Sequence, residues 1–157
     1  MTDTAIALLK FFEGFSPSPY SDIAGHGTVG YGHKIRLGEE DRFAGRVLTE
    51  AEGEKLLVVD FLAALHEVVN LTDSVHLEEY EKEALGSFVY NLGGRKFAGS
   101  TLLRAVKVEK RSVAAKEFLR WRFAAGKPQA GLVRRRHVES VWFLGAAHET
   151  LTYVAGI

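Results

Sequence analysis

Phe11-Phe12-Glu13-Gly14-Phe15-Ser16-Pro17-Ser18-Pro19-Tyr20-Ser21-Asp22-Ile23-Ala24-Gly25-His26-Gly27-Thr28-Val29-Gly30-Tyr31-Gly32-His33 is the stretch that decides how this chain folds. Ahead of it, apolar residues at Ala5, Ile6, Leu8, Leu9 and Phe12 recur at helical spacing and predict an amphipathic helix over residues 3–13. Gly14 stands where such a helix stops, and Pro17 and Pro19 forbid its continuation. From Tyr20 to Ile35 glycine recurs too often for a helix, while Thr28, Val29, Tyr31 and Ile35 favour extended backbone. A small hairpin or three-stranded sheet is expected there.

Outward from that stretch the pattern turns helical. Thr49 with Glu52 forms a capping box that opens a long helix to about residue 69. A helix over about 77–92 follows, closed by Gly93-Gly94, and others are expected over about 101–106, 113–121 and 132–146, with a break at Gly126-Lys127-Pro128. The fold class is therefore α+β and mostly helical, with one small β excursion near the start and a long helix joining it to a helical body. A cleft between two such parts is a common place for a ligand.

At 157 residues the chain fits one domain able to bury a core without staples. It has no cysteine, which excludes disulfides, thiolate metal sites and a cysteine nucleophile. The apolar run Ala5–Leu9 is too short for a membrane span and lacks the basic flank of a signal peptide. Synthesis in the cytoplasm is the expectation, so the sequon at Asn70 carries no weight. The formal net charge of zero hides an asymmetry: residues 1–90 hold 7 Lys/Arg against 16 Asp/Glu, and residues 91–157 hold 13 against 4. The basic part is suited to an anionic polymer, although halves of a sequence need not be halves of a surface.

Glu13, Asp22 and Thr28 carry the chemistry. Glu13 ends the first helix beside Phe11, Phe12 and Phe15, where the helix dipole and desolvation both disfavour the charged form, as a general acid requires. Asp22 lies in a Ser- and Gly-rich turn open to water, which keeps it ionised. Two carboxyl groups pushed toward opposite protonation states suit glycosidic bond cleavage, and the Thr28 hydroxyl is placed to orient a water. The residues alone leave a plainer reading open, in which Glu13 is a solvated helix-end carboxylate and Asp22 makes a local turn hydrogen bond.

The pattern Glu13-Gly14, Tyr20-x-Asp22, Thr28-x-Gly30-Tyr31-Gly32-His33 resembles the signature of the phage-type lysozymes, glycoside hydrolase family 24, which includes many bacteriophage endolysins. The spacings of nine residues from Glu13 to Asp22 and six more to Thr28 match it. Ser87–Gly93 followed by Phe97–Leu103 is similar to the family's second block. Phe118–Trp121 with Ala125–Lys127, then Gly131–Glu139, is similar to its third. The resemblance spans roughly residues 5–145. It implies a lysozyme-like, two-lobed catalytic domain over 1–157, with a β-containing lobe at about 14–50 and a helical lobe at about 70–157.

By the same resemblance Glu13 is the proton donor, Asp22 the base or charge stabiliser and Thr28 the neighbour of the nucleophilic water. Tyr90 and Asn91 line the sugar cleft. The substrate is the β-1,4 bond between N-acetylmuramic acid and N-acetylglucosamine in peptidoglycan, cleaved with inversion and without a cofactor or metal. The implied protein is a monomer that binds no nucleic acid, inserts stably in no membrane, and reaches the wall through a holin pore or a secretion apparatus. His26-Gly27 departs from the usual apolar residue and proline of the family. A lytic transglycosylase or a secreted wall-degrading effector is the near alternative, and a non-catalytic peptidoglycan-binding module the distant one. Retention of all three site residues argues against the last.

Other motifs carry less. Gly25-x-Gly27-x-x-Gly30 lacks the flanking strand and helix of a dinucleotide site. His26 and His33 lack a third metal ligand, and a hydrogen-bonding role in the turn is expected for His33. Arg134, Arg135 and Arg136 point in three directions around a helix, which predicts one structural residue and two solvated or wall-facing ones.

Overall fold

The computed structural model describes residues 1–21 and 25–156, so Asp22 lies outside the described residues. Helix α1 (Asp3–Glu13) starts at Thr2, whose hydroxyl accepts from the Ala5 N–H, and buries Ala5, Leu8 and Leu9. It ends as predicted, with the Gly14 N–H donating to the Lys10 carbonyl at φ 67°.

Strands β1 (Ser16–Ser21), β2 (Gly27–Gly30) and β3 (His33–Lys34) form an antiparallel sheet in chain order, with Tyr20 opposite Thr28 and Val29 opposite His33. β1 begins at Ser16, earlier than the Tyr20 start expected, and carries both prolines. It is an edge strand, where a missing N–H costs no ladder bond. After the single-turn helix α2 (Glu40–Phe43), the capping box opens α3 (Glu50–Leu71): the Glu52 N–H donates to the Thr49 hydroxyl at 3.2 Å and the Thr49 N–H to Glu52 Oε2 at 2.8 Å.

The sheet rests on the first turns of α3 at Gly53, where a Cβ would stand 2.7 Å from the Phe15 ring and 3.4 Å from the Tyr31 ring. Only glycine admits that approach. A small second core of Val29, Phe43 and Leu48 seals the far side of the sheet. α2 was not foreseen, since four residues are too few to show a period.

The helical body comprises α4 (Glu79–Leu92), α5 (Gly94–Ala98), α6 (Thr101–Lys107), α7 (Arg111–Phe118), α8 (Ala130–Phe143) and α9 (His148–Ala155). Phe88 of α4 is its centre, with ring centroids 5.6 Å from Phe118, 5.4 Å from Trp121 and 6.0 Å from Phe97. Gly126-Lys127-Pro128, expected as a plain break, belongs to a hairpin of β4 (Phe123–Ala124) and β5 (Lys127–Pro128). Ala125 and Gly126 take φ of 50° and 75°, the positive values a two-residue hairpin turn demands. α5 and α9 were also unforeseen; α9 buries Leu151 and Ala155 and meets α1 through Thr4 Oγ1 and His148 Nδ1, 2.9 Å apart. Among the described residues no helix is long and apolar enough to cross a membrane.

Candidate active site

Three elements converge on Glu13. α1 delivers it as its last residue, α8 brings Arg135, and the turn between β2 and β3 brings Gly32. Arg135 Nη1 donates to Glu13 Oε1. The other carboxyl oxygen, Oε2, lies against Gly32, where a Cβ would stand 3.1 Å from it at φ 82°. The carboxyl side chain is only 18% exposed.

Arg135 is itself held on all sides. Its Nε donates to Glu139 Oε1 at 3.1 Å and its Nη2 to the Ser87 carbonyl at 3.0 Å, while Ser87 Oγ donates to Glu139 Oε1 at 2.7 Å. Burial opposes the guanidinium charge, but the carboxylates of Glu13 and Glu139 outweigh it and hold the pKa above arginine's ordinary value. Its neighbour Arg136 is fully buried, with Nη2 donating to Asn91 Oδ1 at 2.8 Å and Nε 3.1 Å from Glu139 Oε2. Burial pulls Arg136 down to about 10, against the opposing pull of Glu139, which still leaves it charged at neutral pH. Two of the three arginines are thus structural, where one was expected. α8 is covered by α4, α7 and α9 together, so two successive residues both find an interior. Arg134 remains exposed, over the Phe11 ring at 6.0 Å.

Two grooves meet beside this cluster. One, of about 610 Å³, runs between β3, α3 and the α4–α5 junction and is lined by Gly32, Lys34, Asp60, Glu67, Tyr90 and Asn91 among others. The other, of about 460 Å³, lies between α1 and α8 and is lined by Phe12, Glu13, Asn91, Gln129, Leu132 and Arg135 among others. Asn91 belongs to both. Tyr90 Oη donates to the Tyr31 carbonyl at 2.8 Å, tying α4 to the sheet. Burial raises the Tyr90 phenol far above its ordinary pKa, and the nearby charges of Glu13 and Asp60 add to this. The phenol is therefore a permanent donor rather than an acid.

Glu13, Tyr90 and Asn91 are thus brought together. Thr28 is buried in β2, with Oγ1 donating to the His26 carbonyl at 3.3 Å; it lines neither groove among the described residues. His33 does not serve the turn alone, as expected, since its Nδ1 meets Asp60 Oδ2 of α3 at 2.7 Å. That contact anchors the turn carrying Gly32 to the long helix. Arg135, Arg136, Glu139 and Ser87 were missed as site residues. The signal for three of them was the run Arg134-Arg135-Arg136 with Glu139 one turn on, between the apolar pairs Leu132-Val133 and Val141-Trp142, which is hard to solvate on every side; Ser87 had none.

Gly32→Ala is expected to lower activity about tenfold and stability by about 1–2 kcal/mol, because a left-handed alanine is strained and its methyl presses on Glu13 Oε2. Turnover and thermal melts of the variant check this; unchanged turnover would mean that the turn does not position the carboxyl.

The sequence model of the Phage lysozyme family matches residues 10–139. A SAR-endolysin of Bacteriophage PS119 is 39% identical over 127 residues, which cover 81% of this chain and 73% of that relative. The endolysin of Salmonella phage P22 is 31% identical over 142 residues, covering 90% and 97%. Among solved structures, a mutant of P22 lysozyme matches with a TM-score of 0.80 at 31% identity, over 92% of this chain and 98% of that one. The muramidase domain of SpmX from Asticaccaulis excentricus matches with a TM-score of 0.79 at 29% identity, over 92% and 97%.

Proposed function

The chain belongs to the phage lysozyme family and is a muramidase, a glycoside hydrolase acting on bacterial peptidoglycan; on that premise we propose that Glu13, Asp22 and Thr28 are its catalytic residues and that Tyr90 and Asn91 bind the glycan. The observation that carries this reading is the Glu13 carboxyl, anchored at one oxygen by Arg135, set against Gly32 at the other, and lining one of two grooves that share Asn91.

Glu13 acts as general acid. Oε1 accepts from a cation, so the transferable proton sits on Oε2, on the Gly32 side. That proton passes to the bridging O4 as the C1–O4 bond breaks. A water, oriented by the Thr28 hydroxyl, attacks C1 and gives its proton to Asp22, and the anomeric centre inverts. Solvent then carries a proton from Asp22 back to Glu13. Tyr90 fixes the sheet against the helical body, and the groove beside it holds the sugar chain. Residues of about 14–50 and 70–157 form the two lobes of one catalytic domain, with α3 between them.

The protein acts as a monomer, after synthesis in the cytoplasm, and reaches the wall through a holin pore or a secretion apparatus. Mass spectrometry of products from purified peptidoglycan tests the reaction. Hydrolysed reducing ends are expected; anhydro sugars would replace hydrolysis by a transglycosylase reaction, and an uncut wall would remove the proposal.

The basic surface after residue 90 predicts salt-sensitive action on whole walls. Lys107, Lys110 and Lys116 are exposed. Arg111 is not part of this set, since its Nε donates at 2.6 Å to the buried carboxylate of Glu81. Raising salt from about 50 to about 500 mM shortens the reach of these charges and should slow lysis of walls more than cleavage of short oligosaccharides. Replacing the three lysines by glutamine should flatten that difference; equal salt dependence on both substrates would remove the steering role.

A further inference from the structure

Arg136 is a fully buried cation, yet its well-formed hydrogen bond goes to a groove residue, from Nη2 to Asn91 Oδ1 at 2.8 Å. Its Nε and Nη1 make no hydrogen bond of good geometry, although Nε stands 3.1 Å from Glu139 Oε2. The guanidinium packs over the Phe88 ring, 5.0 Å from its centroid, and is fixed in place by the aromatic core. An unsatisfied buried guanidinium is costly, so the bond to Asn91 is strongly specified.

This bond decides how the Asn91 amide faces. Arginine has only N–H donors, so the amide oxygen must turn toward Arg136 and the two Nδ2 N–H groups must turn away. No described residue accepts from Nδ2, and the atom is not sealed from solvent. Asn91 stands where the two grooves meet and shares the second with Glu13. With its oxygen occupied, Asn91 presents the groove with donors and no acceptor. A sugar hydroxyl both donates and accepts, whereas an acetamido carbonyl only accepts, and each sugar of the wall glycan carries one such group.

We infer that Arg136 is a positioning residue that locks the Asn91 amide with Nδ2 facing the groove, making Asn91 a specificity-determining donor to an acetamido carbonyl of the glycan. The inference rests on the proposed muramidase site and adds to it a preference for N-acetylated over de-N-acetylated sugar. Charge sharpens the distinction. A de-N-acetylated sugar carries an ammonium group, which has nothing to accept with and meets an N–H instead.

The test measures kcat/KM on soluble wall glycan with and without its acetyl groups. Wild type is expected to prefer the acetylated glycan. Asn91→Asp keeps an oxygen for Arg136 and should melt at or above the wild-type temperature, yet it loses both donors. Its kcat/KM on acetylated glycan should fall about tenfold, the size of one neutral hydrogen bond. Its preference should shrink or reverse, because a carboxylate attracts the ammonium. Arg136→Met frees the amide to rotate and should reduce the acetyl preference, with Arg136→Lys restoring part of it. The preference is a ratio, so it does not depend on how much of a destabilised variant is folded.

A wild-type preference retained in Asn91→Asp would overturn the inference while leaving the muramidase site standing. Preference retained in folded Arg136→Met would overturn the positioning role. Should Arg136→Met fail to fold, Asn91→Asp decides alone. Wild type that cleaves neither glycan would take down both the site and this extension of it.

Discussion

Glu13→Gln is expected to lower lytic turnover by about 10²–10⁴-fold, the range associated with losing a positioned general acid. The amide has nearly the shape of the carboxyl. Its oxygen can still accept from Arg135, and its nitrogen can take the place of Oε2 beside Gly32. It has no acidic proton to give the departing O4, so the loss should appear in kcat on soluble oligosaccharide. An amide oxygen is a weaker acceptor from Arg135 than a carboxyl group able to ionise, so a modest fall in melting temperature accompanies the loss. Circular dichroism and a melting curve would show a folded variant. Turnover within tenfold of wild type would remove Glu13 from the mechanism.

Arg135→Met should have the largest effect on stability. Arg135 is 3% exposed and bonds Glu13, Glu139 and the Ser87 carbonyl through three different nitrogens. Methionine fills the space without supplying any donor. Glu139, which is fully buried, would keep only the Ser87 hydroxyl and the imperfect contact with Arg136. Removing one partner from a buried ion cluster costs about 3–5 kcal/mol, or roughly 6–20 °C in a chain of this size. Lysine should rescue little, since one ammonium cannot reach three acceptors set in the fork of a guanidinium. Activity of the folded fraction at low temperature should also fall, because Glu13 loses the contact that orients it. A melting temperature within about 2 °C of wild type, under one kcal/mol by the same scaling, would show that the cluster is not a structural keystone.

These two variants separate what was legible in the residues from what was not. Glu13 could be singled out from its place at a helix end, its aromatic neighbours and its spacing to Asp22 and Thr28. The end of α1 and the start of α3 were readable because their capping groups sit within a few residues of what they cap; the Thr2 cap is just as local but was not read. Gly14 and the Thr49–Glu52 box are local devices. The end of α4 followed from Gly93-Gly94, which closes it. Short elements escaped, since α2, α5 and the β4–β5 hairpin hold too few residues for a period and exist through what they pack against.

Sequence alone determined the fold class, the order of the main helices and a set of candidate groups, because caps, breaks and periods act over one or two turns of chain. Tertiary structure alone decided the surroundings of those groups. Arg135 reaches Glu13 across 122 residues, and Arg136 reaches Asn91 across 45. Nothing near Glu13 in sequence announces Arg135, and the neighbouring cation Lys10 pairs instead with Glu54. Nothing in Arg134-Arg135-Arg136 says which two are buried, because that depends on α4, α7 and α9 enclosing α8 from several sides. Local chemistry singles out the carboxyl, and long-range packing selects which of its oxygens is tied to Arg135 and which faces Gly32.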